Sequence, residues 1–113
     1  MLVIDIAKRE LVDTIALDES PEGMAVSSDG KFVAVASEIT NSVAFVSTAT
    51  RKKVCSVPTK GKNPEYAEFS PDGNWLYVSA EEPDSIDIVD VACRRQVSSL
   101  KLGPRPRGIG FTP

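Results

Sequence analysis

Residues 20–39 read SPEGMAVSSDGKFVAVASEI, and residues 63–82 read NPEYAEFSPDGNWLYVSAEE. Both run through Pro-Glu, an apolar segment, a turn ending in Asp-Gly, a second apolar segment and a glutamate. A phrase that recurs at fixed spacing marks a repeat architecture. One unit cannot bury its apolar surface alone, so copies stack.

The spacing holds along the chain. Pro21, Pro64 and Pro106 are 43 and 42 residues apart, and Asp5, Ser47 and Asp90 are 42 and 43 apart. Val12, Val54 and Val97 keep the same step, as do Ile15, Val57 and Leu100. The unit is therefore about 42 residues long.

Each unit is predicted to hold four short strands, rich in Val, Ile, Phe, Tyr and Trp and bounded by Gly, Pro, Asn, Asp and Ser. Strand one covers 23–27, 66–70 and 108–112, and strand two covers 32–37 and 75–80. Strand three covers 3–6, 42–46 and 86–91, and strand four covers 10–17, 53–58 and 96–102. The Asp-Gly pairs suit tight hairpins, because glycine accepts positive φ without a Cβ clash. KFVAVAS and NWLYVSA are apolar at consecutive positions, whereas a sheet with one wet face alternates. Both faces are therefore expected to be covered. Four antiparallel strands repeated at this length describe a β-propeller blade sandwiched between neighbours.

The fold class expected is thus all-β, a propeller with four-stranded antiparallel blades. Residues 1–20 supply strands three and four of a partial blade. Residues 21–62 and 63–105 supply full blades, and 106–113 the first strand of another. Rings of fewer than four blades fall outside the usual range. The chain is accordingly expected to be a segment of a larger ring, with ring completion by identical chains as the alternative. Open blade edges would then invite pairing with other chains.

Composition excludes several function classes. Hydrophobic residues make up 42% of the 113 and charged ones 26%, with a net charge of −3, which gives no footing for nucleic-acid binding. No apolar run is long enough to span a membrane. The opening MLVIDIAKRE reads as a strand and not as an export signal. There is no histidine, which removes the commonest general base, metal ligand and haem ligand. Cys55 and Cys93 are too few for a disulfide framework and lie at different places in their units.

The stretches PEGMAVSSDGKFVAVASEITNSVAFVSTAT and PEYAEFSPDGNWLYVSAEEPDSIDIVDVAC resemble the YVTN-repeat family of β-propellers. Within that family the order of PEGMAVS with SEITN, then PEYAEFS with VSAEE, is most similar to the propellers associated with pyrroloquinoline-quinone-dependent alcohol catabolism. That resemblance implies a ring of about seven blades exported to the periplasm, accessory to quinoprotein oxidation.

Blade geometry puts the loop before strand one and the loop between strands two and three at the mouth of the central channel. Glu22, Glu65 and Arg107 follow the repeat prolines there, and Glu38, Glu81, Glu82 and Asp84 join them from the adjoining loops. Carboxylates with one cationic neighbour suit a polar ligand or a hard cation such as Ca²⁺; the same residues also suit a solvated rim. Basic residues (Lys8, Arg9, Lys31, Arg51, Lys52, Lys53, Arg94, Arg95) crowd the opposite end. No residue is assigned as catalytic or metal-ligating, and no cofactor is expected.

The function expected is a non-catalytic binding or scaffold module whose partner is a protein or a small polar ligand. One alternative is a lactonase-like hydrolase with a carboxylate or metal site at the mouth. Another is a haem-binding propeller of the nitrite reductase type.

Overall fold

The computed structural model describes residues 1–92 and 94–112. It is all-β, with ten strands and no helix among the described residues. Strands β1 (Leu2–Asp5) and β2 (Glu10–Thr14) form an antiparallel pair. A four-stranded antiparallel sheet follows, made of β3 (Pro21–Val26), β4 (Phe32–Ser37), β5 (Ser42–Ser47) and β6 (Lys52–Pro58) in sequential order. A second sheet repeats it with β7 (Lys62–Phe69), β8 (Trp75–Glu82), β9 (Ser85–Asp90) and β10 (Arg95–Lys101).

The consecutive apolar runs do what their pattern requires. From Ala34 to Ser37 and from Ser42 to Val46 every residue is buried. One face of this first sheet presents Ala34, Val43, Phe45 and Val57 to Ala67, Phe69, Leu76, Val78 and Val89 of the second. Phe45 and Phe69 meet edge-to-face at its centre, 6.4 Å between ring centroids, a favoured aromatic geometry. The other face turns Val33 and Val46 toward Val3 of β1 and toward Met1 and Ile15, which flank the β1–β2 pair, around a cavity of about 140 Å³.

The inner strands crowd together, as blades must near a common axis. A Cβ on Gly23 in β3 would lie 2.7 Å from the Glu65 carbonyl oxygen and 2.8 Å from the Tyr66 Cα in β7. Only glycine permits that approach.

The turns repeat atom for atom. Ser27 donates its hydroxyl to Asp29 Oδ1 (2.7 Å), and Phe32 N–H donates back to Ser27 Oγ (3.0 Å). In the next sheet Ser70 donates to Asp72, and Trp75 N–H donates to Ser70 Oγ (3.0 Å). Gly30 and Gly73 close these turns at φ of 71° and 74°. Asp5 and Ser47 accept from the turn amides of Lys8 (2.9 Å) and Thr50 (3.3 Å), the role their place at the end of strand three suggests.

One expected strand does not form. Residues 108–112 have no strand conformation, because no described strand is available to pair with them. The segment crosses the outer face of β8 instead: Phe111 packs edge-to-face on Tyr77 at 5.3 Å. Cys93 lies outside the described residues; Cys55 is a half-buried free thiol beside the core.

Candidate functional site

The loops named from sequence as the channel mouth sort into two local groups. Ser20 Oγ lies 3.3 Å from Glu22 Oε1 and 3.2 Å from Glu38 Oε2, so one hydroxyl links both carboxylates. Arg107 reaches Glu81 Oε1 at 3.2 Å, an ion pair with the guanidinium 64% exposed. Asp84 Oδ1 accepts from the Arg105 amide at 2.9 Å and shapes the loop. Glu65 is half-buried in β7 and Glu82 is exposed at the end of β8. Among the described residues no three acidic or thiol groups converge as a metal site would require.

The basic residues at the other end are dispersed in the same way. Lys31 faces Asp29 at 3.7 Å, Arg51 faces Asp13 at 3.9 Å, and Lys53 binds Asp18. Arg94 stacks over the Phe32 ring at 5.0 Å, a cation–π contact between the two sheets.

Sequence reading passed over an acid that accepts three side-chain hydrogen bonds across two strands. Asp18, in the segment joining β2 to β3, accepts from Lys53 Nζ, from Ser56 Oγ and from Ser42 Oγ (3.3 Å). The Lys53 hydrogen bond, then that of Ser56, holds its carboxyl below the ordinary 3.8. Asp29 and Asp72 are lowered as well, first by the hydroxyls of Ser27 and Ser70, then by turn amides. Asp18 had no signal to give it away: Lys60 stands 42 residues on, at its repeat position.

The partner expected from sequence is corrected by these contacts. A polar ligand at the mouth needs groups aimed at a common point, and Glu22, Glu38, Glu81 and Asp84 are drawn into separate local ties. Strand addition at blade edges needs a flat, free edge. On its inner side β3 is closed off by β7. The outer strands carry the features that blunt edges: register shifts in the β5–β6 and β9–β10 pairings, and Lys52, Lys53, Arg95 and Lys101 along β6 and β10. Among the described residues no helix is long and apolar enough to cross a membrane.

Solved structures share this arrangement. Hydrazine synthase of Kuenenia stuttgartiensis superimposes with a TM-score of 0.87 and 25% identity, over 91% of this chain and 30% of that one. Apo AztD of Citrobacter koseri superimposes with a TM-score of 0.79 and 16% identity, over 94% of this chain and 30% of that one. The chain thus spans about a third of the length of these structures. No curated protein matches it. The model of the lactonase seven-bladed β-propeller family matches residues 7–104. With the match running through the β3–β6 and β7–β10 sheets, the chain belongs to the lactonase, seven-bladed β-propeller family.

Proposed function

We propose that this chain is a non-catalytic wall of a propeller ring, a scaffold accessory to periplasmic quinoprotein alcohol oxidation. The observation that carries the reading is the fate of the acids at the channel mouth. Glu22 and Glu38 flank the Ser20 hydroxyl, and Glu81 is paired with Arg107 at a separate place. A hard-cation site needs several carboxylate oxygens aimed at one point, and among the described residues no three such groups converge. The sequence offers no histidine to replace them. The quinoprotein association and the periplasmic address rest on the resemblance of the two blade phrases, and cell fractionation of the source organism tests the address.

The family match supports a second reading, a lactone hydrolase. A pH-stat assay on a panel of lactones, with and without Ca²⁺, Mn²⁺ or Zn²⁺, separates the two. The scaffold reading expects no turnover above background and no metal-dependent rise in melting temperature. Turnover that falls in Glu81→Gln or Arg107→Lys would replace it with the hydrolase.

A further inference from the structure

The two seams between successive blades are tied at the same place by different chemistry. At the first seam the joining segment brings a side-chain carboxylate, Asp18, to Ser42 on β5 and Ser56 on β6. At the second seam the residue 42 positions later is Lys60, so the joining segment brings no carboxylate. The carboxylate comes from the sheet instead. Asp87, which stands 43 residues after Ala44, accepts from the backbone N–H groups of Lys60 (2.6 Å) and Gly61 (2.8 Å) through Oδ2.

This exchange strands two oxygens. Asp87 is 0% exposed and Ser85, the counterpart of Ser42, is 2% exposed. Asp87 Oδ1 and Ser85 Oγ are both buried without a hydrogen-bond partner in the protein. Ser85 and Asp87 pair across to Ala80 and Val78 of β8, so the two side chains point to the same face of the sheet. Gly61 roofs that face: a Cβ there would lie 2.8 Å from Ser85 Oγ and would strike Ala80 Cβ. A buried carboxylate oxygen and a buried hydroxyl on one strand face, two residues apart and each without a partner, have the polarity and shared direction that a single bridging molecule would satisfy.

We propose that the second seam is a binding site for one internal water molecule, held between Asp87 Oδ1 and Ser85 Oγ beneath Gly61. The water donates one hydrogen to the carboxylate and accepts the serine hydroxyl. It does for Ser85 what the Asp18 carboxylate does for Ser42, and it completes the hydrogen bonding of a carboxylate out of reach of solvent. A bare cation suits the site less well. One carboxylate oxygen and one hydroxyl fall short of the six or more oxygens a hard cation gathers.

A crystal structure of the whole chain at about atomic resolution tests this directly, with a parallel crystal soaked in rubidium chloride. The expected result is one density peak at hydrogen-bonding distance (about 2.5–3.0 Å) from both oxygens, with no rubidium anomalous signal. An empty niche, a direct Ser85–Asp87 hydrogen bond or a rubidium peak overturns the proposal. Thermal unfolding of Ser85→Ala, Asp87→Asn and the double variant adds a solution test. Two residues that share a water are coupled without touching, so the double variant should lose less than the sum of the single losses. Additive losses overturn the proposal; if Asp87→Asn fails to fold, the wild-type crystal decides.

Discussion

Gly23 and Gly30 sit seven residues apart and are required for opposite reasons. Gly30 has nothing within 4 Å of its missing Cβ but holds φ at 71°; Gly23 lies under the β7 backbone, with a carbonyl oxygen 2.7 Å from where a Cβ would be. Asparagine tolerates the left-handed region and alanine does not. Gly30→Asn is therefore expected to be nearly neutral, and Gly30→Ala to lose about 1–2 kcal/mol. At Gly23 both replacements should lose about 1–3 kcal/mol or more, since the neighbour is backbone and has little room to yield. Urea unfolding of the four variants checks the pattern, and a Gly23→Ala variant as stable as wild type would show that the inner strands stand further apart. The non-glycine residues with positive φ carry the same message. Arg9, Arg51 and Arg94 are at 56°, 54° and 50°, and Ser20, Asn63 and Arg105 are at 54°, 54° and 52°. The repeat is thus written into the backbone both where the letter is kept, as at the three arginines, and where it differs, as at Ser20, Asn63 and Arg105. At Arg51 a valine, β-branched and poorly suited to that conformation, should lose about 1–2 kcal/mol.

The acids at turns and seams give the elements a pH dependence whose sign is fixed. Asp18, Asp29 and Asp72 all have folded-state values below the ordinary 3.8. Their stabilisation is complete above the unfolded-state value and is lost as pH falls through the folded-state values. Acid should therefore loosen the fold below about pH 4. Asp18→Asn should flatten that acid limb of the stability curve more than Asp29→Asn does, because Asp29 is tied within one exposed turn and Asp18 joins two elements. An unchanged acid limb in Asp18→Asn would mean that the Lys53–Asp18–Ser56 tie does not persist in solution. Within the sheets, Phe45 is 0% exposed and fills the centre of the seam, so Phe45→Ala should lose about 3–5 kcal/mol.

Which of these ties the sequence revealed follows from periodicity. Asn41 accepts from the amide of Asn63 at 2.8 Å, and its counterpart Asp84 accepts from the amide of Arg105 at 2.9 Å. The Ser-x-Asp-Gly turns recur with the repeat and are legible in it; the Asn41 and Asp84 ties recur too, but the letters at both ends of the tie change from one unit to the next and hide it. Asp18 and Asp87 occur once each, at positions whose counterparts are Lys60 and Ala44, and aligning the units hides them. Strand 108–112 failed for another reason: the repeat marks a position in the unit, while pairing needs a neighbouring strand. The acids expected at the channel mouth, and Arg107 beside them, are named from their place after the repeat prolines and in the adjoining loops, but which of them pair, and the Ser20 hydroxyl between Glu22 and Glu38, depend on rotamers that no spacing reveals.

At the scale of the whole molecule, the central strands β4 and β5 are buried on both faces and the outward apolar faces are not. On the β1–β2 pair, Leu2, Ile4 and Leu11 are 62%, 58% and 59% exposed, and the pairing of Ile4 with Leu11 puts them on one face. At the far end, Leu100 and Phe111 remain 49% and 41% exposed. Contiguous apolar surface of this kind lowers solubility and contributes little to stability while it stays wet. The family's ring has seven blades, and each inner seam of this chain shows how such a face is covered by the next one. In the 113-residue chain itself, replacing Leu2, Ile4 and Leu11 together by threonine is expected to shift unfolding free energy by less than about 1 kcal/mol while raising the concentration at which the protein precipitates. The same three replacements at Val43, Phe45 and Val57, buried in the seam, should abolish cooperative unfolding. If the outer triple variant instead loses several kcal/mol, those side chains are buried in the folded chain, and the β1–β2 pair packs through the face assigned here to solvent.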